Sequence, residues 1–327
     1  MAVTTYNTEH LIEAEVYSDE LKKLLEDELS ATKYVRWLTD FATGEEINIP
    51  SIGQNVAKDY VENTGVEYEP LASGNFTFRI TEYLQSGNYI TNKMKQDSKW
   101  SALLEAAFVP NQHRAIMVRV ETDVFGLQSE QTAGDTNAIN GAAHRLIATG
   151  ANQVFNMQDV ARAKYALRKA NVPMTNLVAV VSPEVAFHIE SVMLNEANLI
   201  YNPKFEGIVR EGGAITGLQF KFQIAGVDFY ESEYLADIAS ETIGETTVTN
   251  AKACLFFSTA SGDITPFIGS WRQMPKVDSE YNKDKQRFEY VTTARYGVAL
   301  YRPENLVVVI ASAPAGLIVG EDEDASS

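Results

Sequence analysis

The residue types that most often carry chemistry are sparse in this chain and poorly spaced for it. The four histidines, His10, His113, His144 and His188, are scattered. None belongs to a HExxH pattern or has a ligand-type partner about three to five residues away, as a zinc site on a helix or turn requires. Each reads as an exposed or internally satisfied histidine. Cys254 is the only cysteine and sits in the apolar run Ala253 to Phe257. It therefore makes no intrachain disulfide or cysteine-based zinc site, and it reads as a small buried apolar residue. Gly212, Gly213 and Gly217 in EGGAITGLQF lack the Lys-Ser/Thr pair of a phosphate loop and lead into a strand rather than a helix, so a turn is expected. Asp135, Asn137, Asn140 and Gly141 hint at a calcium loop. The glycine is displaced, however, and Leu146 stands where a bidentate glutamate is needed. No serine lies in a GxSxG elbow, and Asn75-Phe76-Thr77 is a glycan acceptor only in a secreted chain. Trp37, Trp100 and Trp271 are expected to anchor cores or subunit interfaces rather than stack on ligands. No catalytic, cofactor-binding or metal-binding residue is assigned, no cofactor is expected, and the reading is that the chain is not an enzyme.

Composition narrows the classes further. The 327 residues, 45% hydrophobic and 22% charged, suffice for one large domain or two smaller ones. Lys plus Arg number 27 against 44 Asp plus Glu, a formal net charge of −17. An acidic chain is repelled at each phosphate it approaches, which argues against a direct DNA-reading role. Like charge keeps free subunits soluble, so association has to draw on buried apolar area and locally complementary patches. There is no run of about 18 apolar residues and no secretory-type start, so the expectation is cytoplasmic synthesis without a membrane segment.

The elements that would position these residues follow from patterning. Residues 1 to about 43 read as an arm: Ser18 is an N-cap candidate, and Leu21, Leu24, Leu25 and Leu29 follow helical spacing without a local partner. Between Gly44 and Asn92, two alternating segments (Ile47 and Ile49; Phe76, Phe78 and Ile80) flank a long polar connection, suggesting an extended two-stranded excursion. One helix is expected through Trp100 and Phe108 and a second opened by Pro110. The stripe of the second is Ile116, Met117, Val120, Val124 and Leu127, with Arg114, Arg119 and Glu121 off it. The Gly/Asn/Thr-rich stretch that follows reads as loop. Asn156 starts a helix with Asp159 at the capping-box position, ending before Pro173. Leu177 to Val181 reads as a buried strand, Pro183 opens a helix, and Leu218 to Ile224 alternate as a strand. Ala253 to Phe257, Ile264 to Ile268, Arg287 to Leu300 and Asn305 to Ile310 are strand-like, before an acidic GEDEDASS segment.

The segment TARYGVALYRPENLVVVIAS, with Tyr301, Arg302 and Pro303 at its turn, resembles the closing strands of the major capsid (coat) proteins of tailed double-stranded-DNA bacteriophages. GDITPFIGSWRQMPKVDSEYNKDKQRFEY is similar to that family's strand, extended loop and return strand, and the order of elements agrees along nearly the whole chain. The resemblance implies an α+β capsid fold. Its parts would be an N-terminal arm (1–43), an extended loop (44–95), a peripheral domain with a long spine helix (96–150 and 263–327) and an axial α/β domain (151–262). It implies a structural subunit that self-assembles through pentamers and hexamers into an icosahedral head shell in the virion. The alternative is a nanocompartment shell protein of the encapsulin type, or another phage structural protein. Implied partners are further copies of the chain, with scaffolding, portal and decoration proteins; packaged DNA would be touched only weakly and non-specifically. Candidate inter-subunit contacts are Leu21, Leu24 and Leu25 of the arm, Arg168 towards a neighbour's acids, and Lys58 with Asn282, the residue types that some members of the family cross-link.

Overall fold

A computed structural model of the chain describes residues 29–39, 46–53, 73–97, 101–131, 138–194 and 220–314, with single positions between 53 and 73. A short 3-10 turn, Ala31–Lys33, leads into β1 (Val35–Leu38). Next come β2 (Glu46–Ile52), β3 (Ser73–Arg79), β4 (Glu82–Thr91) and the helices α1 (Asn92–Asp97) and α2 (Ser101–Gly126). β5 (Ala138–Ile139), β6 (Ala142–Ala143) and β7 (Arg145–Ile147) precede α3 (Met157–Lys169), β8 (Leu177–Val181) and α4 (Pro183–Leu194). β9 (Phe220–Ile224), β10 (Val227–Glu231), β11 (Asp237–Ile243), β12 (Thr246–Ser258), β13 (Phe267–Asn282), β14 (Arg287–Leu300) and β15 (Val307–Ser312) complete the order.

The larger sheet has seven strands in the order β7-β15-β12-β8-β10-β9, with β11 paired to β12. Its central strands read as unbroken apolar runs because both of their faces are covered. Ala179, Val181, Cys254, Phe256, Val307 and Val309 face one core with Val160, Ala163 and Leu167 of α3 and Val185 and Ile189 of α4. Alternate residues of the same strands, Val178, Val180, Leu255, Phe257, Val308 and Ile310, face a second core with Val120, Val124 and Phe125 of α2 and with Phe267, Tyr296 and Leu300. A period of two thus sorts one run of sequence into two cores. Each fully buried Val, Leu, Ile or Phe contributes roughly 1.5–3 kcal/mol to holding it there.

The smaller sheet has four strands in the order β1-β13-β14-β4. Helix α2 lies along one of its faces and is a single 26-residue element with Pro110 inside it, not two helices meeting at the proline. Pro110 removes a backbone hydrogen bond and crowds the carbonyl four residues back. The helix continues because β14 holds both sides of that position: Tyr290 bonds Glu105 and packs on Phe108 before the proline, while Gln112 after it bonds the Tyr290 carbonyl and Thr292.

Other expectations are corrected by pairing. β15, read from the sequence as a closing apolar strand, sits between β7 and β12 in the larger sheet, where a strand apolar on both faces is buried on both. The extended loop expected after Ile268 is strand as far as Asn282, paired with β14 along its length across two register shifts. The stretch expected as loop after Leu127 contains a hairpin and the edge strand β7. Asn140 and Gly141, with φ of 51° and 78°, form the two-residue turn between β5 and β6, which needs positive φ at both positions. At α3 the expected start holds: Asp159 Oδ2 accepts the Asn156 backbone N–H at 2.9 Å.

Candidate functional site

Among the described residues, no group of three or more His, Cys, Asp or Glu side chains stands together as a metal site. His113 is exposed on α2, and His188 is half-buried on α4. His144 is fully buried, its Nδ1 donating to the Ala142 carbonyl at 2.9 Å, and His10 lies outside the described residues. Cys254 is buried in the larger sheet, and desolvation pushes its thiol up to about 12, so it is not a nucleophile at neutral pH. Trp37 and Trp271 stack on each other at 5.1 Å between ring centres rather than lining a pocket, while Trp100 lies outside the described residues. Asp159, also fully buried, is satisfied by Thr149, Asn156 and Arg162, a structural carboxylate at the start of α3.

What the fold offers instead is surface. β2 and β3 pair antiparallel over seven residues as a separate two-stranded sheet. The base of this excursion is seated on the body by Phe78 and Ile80, which are buried against Leu38 and Ala299. The Phe76 ring meets Tyr301 edge to face at 5.1 Å. Gly297 makes the seat possible, because a Cβ there would stand 2.6 Å from the Arg79 carbonyl oxygen and 2.9 Å from the Ile80 Cα. Tyr301, singled out at the closing turn, is thus also one of the contacts that fasten the excursion. Sequence spacing carried no sign of this.

Of the candidate contact residues, Leu21, Leu24, Leu25 and Lys58 lie outside the described residues. Asn282 ends β13 and organises the tip of the β13–β14 hairpin: its Oδ1 accepts the backbone N–H groups of Asp284 and Lys285, and its Nδ2 donates to Glu289. Arg287 also bonds Glu289 at 2.5 Å and holds that carboxyl below its usual range. Arg168 is exposed in the last turn of α3, remote in the topology from Asn282.

Arg168 and Lys169 belong to an open groove of about 790 Å³ whose other walls include Asn140, Asn171, Arg302 and Glu304. Cations suit this end of α3, where the helix dipole presents carbonyl oxygens. Arg302 reaches the groove from the Tyr-Arg-Pro turn, its Nε donating to the Asp263 carbonyl at 2.8 Å. Three cations against one anion make this a basic concavity on a chain of net charge −17.

No protein-family model matches the chain, and no curated protein sequence matches it. Solved structures do. A chain of the cyanophage Pam1 capsid asymmetric unit is similar with a TM-score of 0.71 at 14% identity, over 96% of this chain and 100% of that one. A chain of the cyanophage P-SCSP1u capsid gives 0.67 at 13% identity over 93% and 94% of the two chains. A capsid chain of a native GTA particle gives 0.61 at 12% identity over 96% and 99%. The fold of this chain is the fold of those capsid chains along nearly its whole length, and its class is α+β as expected.

Proposed function

We propose that this chain is the major capsid protein of a tailed-phage-type particle, a structural subunit that assembles with copies of itself into an icosahedral shell around packaged DNA. The observation that carries the reading is the near-complete, two-way coverage between this chain and chains of solved capsids. The excursion β2–β3 supports it, being a separate two-stranded element whose contacts with the body, among the described residues, lie at its base, so that its backbone and side chains are there for a neighbouring copy to cover.

In this reading the larger sheet with α3 and α4 forms the axial part, meeting its equivalents around five-fold and six-fold positions. The smaller sheet with α2 forms the peripheral part. Such contacts are heterologous and close into rings by rotation. The role is mechanical rather than catalytic, the chain's place is the virion, and synthesis is in the host cytoplasm. Scaffolding, portal and decoration proteins are the partners this role calls for, and net negative charge keeps contact with the genome weak.

Negative-stain microscopy and sedimentation of the purified chain test the proposal. Rings, shell fragments or closed shells are expected at tens of micromolar, on the order of ordinary assembly conditions. A monodisperse monomer under every assembly condition tried would sink it.

A further inference from the structure

We propose that the groove between Arg168, Lys169 and Arg302 docks an acidic peptide segment, and that its occupant is Glu321-Asp322-Glu323-Asp324 of the same chain. This goes beyond the shell reading and does not depend on it. The first argument is charge. The groove gathers three exposed cations, while the chain as a whole is strongly acidic and carries its longest acidic run at 321–324. No ion pair joins Arg168, Lys169 or Arg302 to an acid among the described residues.

The second argument is the path. Pro314 lines a recess with Phe155, Asn156 and Met157, at the start of α3, whereas the groove lies at the end of that helix. From Met157 to Arg168 the helix rises roughly 17 Å at about 1.5 Å per residue. The residues from Pro314 to Glu321 span up to about 23 Å when extended. The acidic run therefore reaches its own groove by passing along α3. The outward stripe of that helix, Gln158, Ala161, Tyr165 and Arg168, is exposed, with Tyr165 bare for 59% of its surface. A tethered segment reaches an effective concentration of roughly millimolar, which favours a chain's own groove over a neighbour's in dilute solution.

The test is disulfide capture in the unassembled full-length chain, for which the buried Cys254 is a silent background. K169C/D322C is compared with K276C/D322C, whose β13 position is also exposed. Mixing isotopically light and heavy copies separates disulfides within a chain from those between chains. An intrachain K169C/D322C disulfide is expected to form about tenfold faster than the control at low salt, as an effective-concentration gain predicts. The advantage should collapse at about 1 M salt, where the Debye length is about 3 Å. R168E/R302E should remove it too. Equal rates for the two pairs would overturn the proposal. A disulfide mainly between light and heavy copies would overturn it by giving the groove to a second copy. Duplex-DNA binding by the intact chain that R168E/K169E/R302E abolishes would overturn it in favour of a phosphodiester ligand. Because capture is read on unassembled subunits, none of these outcomes depends on whether shells form.

Discussion

The backbone N–H of Ala31 donates to Glu121 Oε2 at 2.8 Å across 90 residues of sequence, and Ser30 donates its own N–H to the other carboxylate oxygen at 2.9 Å. Glu121 is fully buried on α2, so its carboxylate caps the 3-10 turn that delivers β1 to its parallel pairing with β13. Glu121→Ala would leave two buried backbone donors unmet, besides the Ser30 hydroxyl, and is expected to cost about 3 kcal/mol, with Glu121→Gln milder because one acceptor remains. Urea unfolding of unassembled subunits measures this. A loss within about 0.5 kcal/mol, the range of a surface substitution, would refute the capping role.

The seat of the β2–β3 excursion is sterically demanding at Gly297, where an added Cβ meets backbone on β3 and at Ile80 rather than a yielding side chain. Gly297→Ala is expected to cost about 1–3 kcal/mol, as overpacking does. Hydrogen exchange of the β3 amides should accelerate while the larger sheet stays protected. Tyr301→Ala should loosen the same base through Phe76, lowering the yield of shells by microscopy with little change in the fold of the free subunit.

Tyr290 and Glu105 hydrogen-bond across the α2–β14 interface, with Lys95 at 3.0 Å from the same carboxylate. Burial, then the bond to Glu105, pushes the Tyr290 hydroxyl up to about 12. Its folded pKa lies above the ordinary tyrosine value near 10, so this contribution is complete below about pH 10 and is lost as pH rises towards 12. Glu105 shifts the other way: the bonds from Tyr290 and Lys95 hold it below the usual range, and its contribution disappears as pH falls through the folded value. The stability gap between wild type and Tyr290→Phe should therefore hold from neutral pH to about 9 and shrink by about pH 11. A gap that does not change over that range would contradict the assignment.

Arg145 is almost fully buried and grips Glu241 through two bonds of 2.5 and 2.6 Å, while its third nitrogen donates to the carbonyl and side chain of Gln128. This fork ties edge strand β7 to β11. Removing Glu241 leaves a guanidinium without its counter-charge, and Glu241→Ala is expected to cost about 2–3 kcal/mol, below the range for a fully buried pair because Glu241 is partly wet. Arg145→Met with Glu241→Leu should recover much of that loss. Additive losses in the double variant would show that packing, not the ion pair, holds the strand.

Several features were legible in the sequence because their causes are local. The capping carboxylate at Asp159 lies three residues from Asn156, the run Leu177 to Val181 declares a strand buried on both faces, and the alternation at Phe76 and Phe78 marks β3. The order of elements and the resemblance carried by Tyr301, Arg302 and Pro303 are also present in the sequence itself and agree with the fold. Tertiary structure alone decided what depends on partners far along the chain. Pro110 reads as a helix start until Tyr290 and Thr292 hold α2 on both sides of it. Glu121 reads as a surface acid until Ser30 and Ala31 arrive over it. β15 is apolar enough for either sheet, and its pairing with β12 and β7 chose the larger one. Arg168 reads from the sequence as a cation facing a neighbour's acids, and only the fold sets the turn bearing Arg302 beside it to form a groove. Propensity and periodicity act over a few residues, whereas sheet membership, buried charge and grooves are set by which distant surfaces meet.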